Sequence, residues 1–280
     1  MSAGENGAPT AGRLLPAVSV DRIYSRRARH YDLLHTLTTS GADRRWRREA
    51  AWLLGPREEA KVLDLCTGIG LSALELVRVW SACGIRRFSV LGVDYNRAML
   101  ARGRELIARA GVTDRIELAW GDVTDLRRGA HEAGLVSLED RSFDAVLSVC
   151  GVGGLERPRA AFREALRVLR PAGRLVVIDI HRPIESLQTA RLLQRWVWRH
   201  VTRPWVMRRL WGWNDPSDFR EAIAAAELDG AERRRHRFEI LTYQVRSEPW
   251  WLGLPFCWIA VLVGRKVEVS GAATEGSAER

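Results

Sequence analysis

The run Val62-Leu63-Asp64-Leu65-Cys66-Thr67-Gly68-Ile69-Gly70-Leu71-Ser72-Ala73 carries the strongest chemical signal in the chain. An apolar stretch with one acid, Asp64, runs into a turn holding two glycines, and a helical pattern follows. Glycine in such a turn lets the backbone approach a ligand and adopt dihedrals that other residues avoid. In a doubly wound sheet the turn lies at the carboxyl end of the first strand, where ligands bind. Asp94 closes a second strand-like run in Gly92-Val93-Asp94-Tyr95, and a carboxylate there can accept both hydroxyls of a ribose. Asp122, in Gly121-Asp122-Val123, closes a third and can meet an adenine amino group. Gly68-x-Gly70-x-x-Ala73 with Asp94 also fits a dinucleotide fingerprint, so an NAD-dependent oxidoreductase is a competing reading. Two features favour a different ligand. Asp64 suits an ammonium group and sits badly beside a pyrophosphate. In addition, about 60 residues with helical character precede the strand.

Proton chemistry has two histidine candidates. His181 follows the fifth strand-like run, at the ligand end of the sheet, and is the first choice for a general base; His35 is the second. A lone histidine also serves as a packing or surface residue, and that alternative stands for both. Cys66, Cys83, Cys150 and Cys257 form no CxxC pair. Their scatter argues against a metal site and a disulfide framework, and points to a reducing cytosol.

These groups need elements to position them. Asp43–Leu54 reads as a helix. Strands at Lys61–Cys66, Ser89–Val93, Ile116–Trp120, Ala145–Val149 and Arg174–Ile180 alternate with helices at Leu71–Cys83, Arg97–Ala110 and Pro158–Leu169. The segment 123–142 reads as a short helix plus loop. The alternation predicts an α/β fold, a parallel sheet with helices on both faces. Asp215-Pro216-Ser217-Asp218 reads as a helix start. Arg237–Val245 and Pro255–Val267 read as closing strands. Residues 1–17 and 270–280 are rich in small and polar types and read as tails around one domain, 18–269.

The 280 residues carry a formal net charge of +10, and Lys61 and Lys266 are the only lysines. Arginine forks onto phosphates and carboxylates, so the charge points to anionic partners, unless it reflects general arginine usage. His181–Trp213 concentrates five Trp and seven Arg with one acid, Glu185. Arg191, Arg195 and Arg199 share a helical stripe. The segment reads as a helical cap that either meets an anionic membrane surface or packs its Trp inward over the site. Arg233, Arg234, Arg235 and Arg237 add a local cluster, but nucleic acid is the weaker partner reading. The N-terminus lacks the pattern of a signal peptide. The apolar run Pro249–Gly264 is too short to span a bilayer as a helix. The expected location is cytoplasmic, at most peripheral to the inner membrane face.

Leu65-Cys66-Thr67-Gly68-Ile69-Gly70, Asp94, Asp122, Phe143-Asp144-Ala145-Val146 and Leu169-Arg170-Pro171-Ala172-Gly173-Arg174-Leu175 together resemble the class I S-adenosylmethionine (SAM)-dependent methyltransferases. The resemblance implies a Rossmann-like, doubly wound seven-stranded sheet whose last strand is antiparallel, with SAM as cofactor. It places Asp64 and Gly68 at the methionine end, Asp94 at the ribose and Asp122 at the adenine. Cys66, Thr67, Gly70, Tyr95, Val123 and Val149 complete the cofactor's surroundings, and Tyr31 lies over it from the N-terminal helices. Tyr31-Asp32-Leu33-Leu34, Gly41 and Arg44-x-Trp46-Arg47 are similar to the ubiquinone/menaquinone C-methyltransferases. Three positions depart from that family. Val149 stands where a serine is expected, Gly153-Gly154 replace an Arg-Asn pair, and Asp43 stands where the family usually has His. The implied substrate is a hydrophobic small molecule, quinone-like, with a phospholipid headgroup or a natural-product O- or N-acceptor as alternatives. A SAM-binding, membrane-docking protein without turnover is the non-enzymatic alternative. Oligomeric state is not legible.

Overall fold

A computed structural model describes residues 17–130, 134–181, 200, 236–249 and 255–269. The tails, nearly all of the Trp/Arg segment, the helix expected from Asp215 and the arginines at 233–235 lie outside the described residues. Three helices lead: α1 (Ala17–Arg27), α2 (Tyr31–Thr39) and α3 (Ala42–Leu53), with a 3-10 turn at Ala28–His30 between the first two. Then come β1 (Ala60–Leu65), α4 (Leu71–Ala82), β2 (Phe88–Asp94), α5 (Arg97–Ala110), β3 (Ile116–Trp120), β4 (Phe143–Val149), α6 (Pro158–Val168), β5 (Leu169–His181), β6 (His236–Pro249) and β7 (Pro255–Glu268).

The seven strands lie in the order β3-β2-β1-β4-β5-β7-β6. Pairing is parallel from β3 to β5, and β7 runs antiparallel between β5 and β6. The order reverses at β1, so the crevice beyond β1 and β4 is the switch point where such sheets bind ligands.

Period-two alternation builds the core on both sheet faces. Val62, Val90, Ala145, Leu147, Val176 and Ile178 pack with Trp46, Leu76 and Trp80 of α3 and α4. Leu63, Leu65, Val146, Leu175 and Val177 pack with Phe162 and Leu166 of α6 on the other. The apolar run after Pro249 resolves from Pro255 as β7, whose residues Trp258–Val263 are all buried between two strands.

Two strands, β5 and β6, have a boundary more than two residues from the sequence expectation. Helix α6 stops at Val168, and β5 starts at once because Leu169 pairs with Phe143. The ladder then shifts, so that Arg174 faces Ala145, with Ala172 in the left-handed region at φ 62°. Lys266 of β7 is fully buried and explains part of this geometry: its Nζ donates to the Leu166 and Leu169 carbonyls at 3.1 and 3.0 Å. Those carbonyls lie where a helix end leaves acceptors unsatisfied. The second difference is β6, which runs four residues past Val245, held by its long antiparallel ladder with β7.

Candidate functional site

The strand ends converge on one crevice. Asp64, next to last in β1, is 1% exposed and accepts a 2.6 Å hydrogen bond from Thr67 Oγ1. The turn after β1 puts Cys66, Gly68 and Gly70 in the left-handed region, at φ 55°, 59° and 78°. Gly70 starts α4 in that conformation, which favours glycine. A second close approach explains Gly151: a Cβ there would stand 2.4 Å from Cys66 Cβ, so the β4 and β1 turns touch only because it is absent.

Asp94, the last residue of β2, receives the Gly68 N–H on Oδ2 and the Asn96 N–H on Oδ1, each at 2.8 Å. The glycine turn and the second strand are therefore tied through the carboxylate expected at the ribose. Asp122 accepts from the Thr124 N–H and hydroxyl at 2.9 and 2.7 Å, all on Oδ1. Tyr95 is exposed and its ring lies 5.9 Å from that of Trp120. Val123 and Val149 are buried with their side chains in the core, so what they offer a ligand is backbone.

The sequence reading missed a third buried acid. Asp179 in β5 is 2% exposed and accepts from the Gly153 N–H at 2.9 Å and the Ile180 N–H at 2.7 Å. Gly153, one of the departures from the quinone family's pattern, thus supplies a donor to a carboxylate at the strand ends. Burial pushes Asp64 up to about 7, against the lowering effects of Thr67 and Arg47. Burial likewise raises Asp179 to about 6 and raises Asp94, each opposed by backbone N–H donors. Their fields overlap: Asp94, Asp179 and Asp64 all act on the Cys66 thiol, which burial holds well above its ordinary value. Among the described residues, none of the three has a cation within ion-pair distance. Among the described residues the crevice is therefore lined by desolvated carboxylates without an ion-paired counterion.

The N-terminal helices cover this crevice. Asn96 caps α5 by accepting the Met99 N–H at 2.8 Å. Its Nδ2 donates to the Asp21 carbonyl and carboxylate and to Ser25 Oγ, which fastens α1 over the end of β2. Tyr31 is buried, stacks on His35 at 5.3 Å between centroids and lies 5.9 Å from Tyr24. Its hydroxyl is raised by burial and feels Cys150 and Asp94, which puts it at the crevice as a neutral phenol. His35 is buried with Nδ1 3.3 Å from Asp43 Oδ2. Burial lowers its basicity, so the ring is neutral at pH 7. Asp43 also accepts from Thr39 Oγ1 at 2.9 Å and from Arg47 Nη1. Burial opposes its ionisation, but His35 and Arg47 outweigh that and hold it well below the usual carboxylate range.

Arg47 is 5% exposed, and its charge is felt at Tyr31 and Asp64. Its Nε has no hydrogen-bond partner among the described residues. A buried guanidinium with a spare donor, paired with Asp43 and felt at Asp64, suits a ligand that carries both a carboxylate and positive charge. His181 is the last residue of β5 rather than the residue after it, is 5% exposed, and has Nε2 3.3 Å from Tyr243 Oη. It reaches the same end of the sheet as His35, but from the opposite side, β5 rather than α2. Among the described residues no group of His, Cys, Asp and Glu is placed to hold a metal ion.

Known proteins resemble this chain in sequence and in fold. At 32% identity over 165 residues, the ubiquinone/menaquinone biosynthesis C-methyltransferase UbiE of Geobacter sulfurreducens matches 59% of this chain and 59% of its own length. The chain thus spans under two thirds of that relative. The crystal structure of the [4+2]-cyclase SpnF superposes with TM-score 0.61 at 16% identity, covering 91% of this chain and 99% of that one. A geranyl diphosphate methyltransferase solved with SAM gives TM-score 0.55 at 17% identity, covering 80% and 85%. These two show the shared fold. The ubiE/COQ5 methyltransferase family pattern matches residues 14–201, most of the chain from the N-terminal helices through β5, and the protein belongs to that family.

Proposed function

We propose that the protein transfers the methyl group of SAM to a carbon of a lipid-soluble, quinone-like acceptor. The observation that carries this reading is the crevice of three desolvated carboxylates, Asp64, Asp94 and Asp179, with no cation at ion-pair distance among the described residues. A dinucleotide would bring a pyrophosphate into that negative field. When bound, SAM supplies the methyl group and the sulfonium charge that makes it transferable.

The chain's own residues bind, align and exclude water. Asp94 keeps lone pairs for ribose hydroxyls while the Gly68 and Asn96 N–H groups hold it in place. Asp64, steadied by Thr67, faces the ammonium end, and the spare Arg47 Nε serves the carboxylate. Asp122 keeps one oxygen clear of Thr124 for the adenine amino group. Tyr31 and Tyr24 close the N-terminal side, and a dry site helps because charge disperses as the methyl moves. Alignment of donor and acceptor is the main contribution. An acceptor carbon that gains a methyl must lose a proton. Among the described residues, His181 and the neutral His35 are the candidates to receive it.

Thermal shift with SAM, its demethylated product and NAD tests the cofactor. A ligand at a hundred times its Kd stabilises by about 2.7 kcal/mol. A shift with NAD and none with SAM would overturn the reading. Incubation with methyl-labelled SAM and a membrane lipid extract tests the acceptor. Label in a quinone ring is expected, and label confined to lipid headgroups would refute the C-methylation assignment.

A further inference from the structure

Helix α2 is amphipathic in an inverted sense. Its buried positions are Tyr31, His35 and Thr39, whereas Leu33 and Leu37 are 57% and 63% exposed. A helix in water buries its leucines. His30, Leu33 and Leu37 follow at i, i+3 and i+7 and share one face, with His30 exposed as well. Alongside, Arg22, Arg26 and Arg29 follow at i, i+4 and i+7, all exposed. None of these arginines has an ion-pair partner among the described residues.

A groove of about 730 Å3 opens between this segment and α5. Arg29, His30, Arg102 and Arg109 line it with one acid, Glu105. Glu105 is taken by Arg102 Nη1 at 2.8 Å, and the buried Arg102 Nε has no partner. Asp32 is the acid on α2 itself, half-buried. Exposed leucines on α2, an arginine row without ion-pair partners among the described residues and a basic groove have one chemical complement: an apolar layer beneath anionic headgroups.

We infer that the His30–Leu33–Leu37 face, with the Arg22–Arg26–Arg29 row and the basic groove, docks on an anionic lipid bilayer. Leu33 and Leu37 enter the acyl boundary, and the arginines meet the headgroup phosphates. The docked helix is the one whose opposite face carries Tyr31 over the crevice. Docking therefore deepens the lipid-soluble-acceptor reading by naming where the protein meets the phase that holds such a molecule. It does not depend on methyl transfer, and SAM binding is measured without lipid, so the two readings fail separately.

The test is flotation of the full chain at low salt with phosphatidylcholine vesicles containing phosphatidylglycerol, and with phosphatidylcholine alone. Binding to the anionic vesicles only is expected. Leu33→Ser with Leu37→Ser should weaken partitioning by on the order of a hundredfold, about tenfold per leucine. Arg22→Gln, Arg26→Gln and Arg29→Gln together should weaken it by on the order of a hundredfold, about fivefold per arginine. Both variants should keep the parent's melting curve and SAM-induced shift, which separates lost docking from lost folding. The inference is overturned if the parent ignores anionic vesicles or if both variants bind as tightly as the parent. Displacement by inorganic phosphate, but not by chloride of equal ionic strength, would assign the groove to a free anion and likewise overturn it.

Discussion

Asp64→Asn should make the ligand-free protein more stable and the liganded one weaker. In the fold Asp64 titrates near 7, against an ordinary value of 3.8. The native state therefore binds more protons than the unfolded chain between those values, and stability falls as pH rises through that window. The span is about three pH units at about 1.4 kcal/mol each, so keeping this carboxylate ionised at pH 8 costs about 4 kcal/mol. At pH 5 only the stretch above 3.8 counts, and the cost is less than half as large. Asparagine removes the charge and still accepts the Thr67 hydroxyl. The ligand-free variant should then melt several degrees above the parent at pH 8, by a smaller margin at pH 5 and by none near pH 3.5. SAM should stabilise the variant less than the parent at pH 8. Melting scans across pH with and without SAM provide the readout. A variant less stable than the parent at pH 8, or a gain independent of pH, would refute the reasoning.

On its proposed role, Asp94→Ala removes charged hydrogen bonds to the ribose of SAM, each contributing about 1.5–3 kcal/mol, so calorimetry should record at least about a hundredfold loss of SAM affinity. Asn96→Ala deletes the α5 cap and three bonds into α1. It should cost about 2 kcal/mol and speed amide exchange across Ala17–Arg27. Arg167 donates to Glu164 and Asp140 at 2.6–2.9 Å in a buried network that also holds the Leu126 N–H. Arg167→Met strands the Glu164 carboxylate and should destabilise by about 3 kcal/mol in urea unfolding, with SAM affinity kept.

The parallel half of the sheet was legible because apolar runs and amphipathic helices alternate with little ambiguity from Lys61 to Ile180. Asp94 was legible because it ends such a run beside a glycine turn. Asp179 was not, since an acid inside Val176-Val177-Ile178-Asp179-Ile180 reads as an interruption of core. Its role depends on backbone N–H groups of the β4 turn, which no spacing rule reveals. Asn96 was visible as a helix cap, but its hold on Asp21 and Ser25 spans more than 70 residues of sequence. His35, Thr39, Asp43 and Arg47 recur every four residues, a signal that was available. The left-handed Ser40 and Gly41 hide it by breaking the helix between α2 and α3.

Buried acids in this protein are of two kinds, and the contrast explains the site. Asp43 is enclosed by Arg47, His35 and Thr39, and its charge is stabilised by what surrounds it. Glu164 has Arg167. Asp64 and Asp179 lie as deep and Asp94 is half-buried, but among the described residues all three meet only hydroxyl and backbone donors, and burial raises all three. A fold that needed carboxylates at those strand ends only for packing would gain by neutral replacements or by supplying a cation, as it does for Asp43. Their persistence as a group makes the unliganded crevice electrostatically unfavourable by construction. On the proposed reading, the positive charge that the described residues do not supply arrives with the ligand, and binding then relieves the strain that folding accepted. The same charge balance explains why α1 is tied down through Asn96 rather than through the acids themselves.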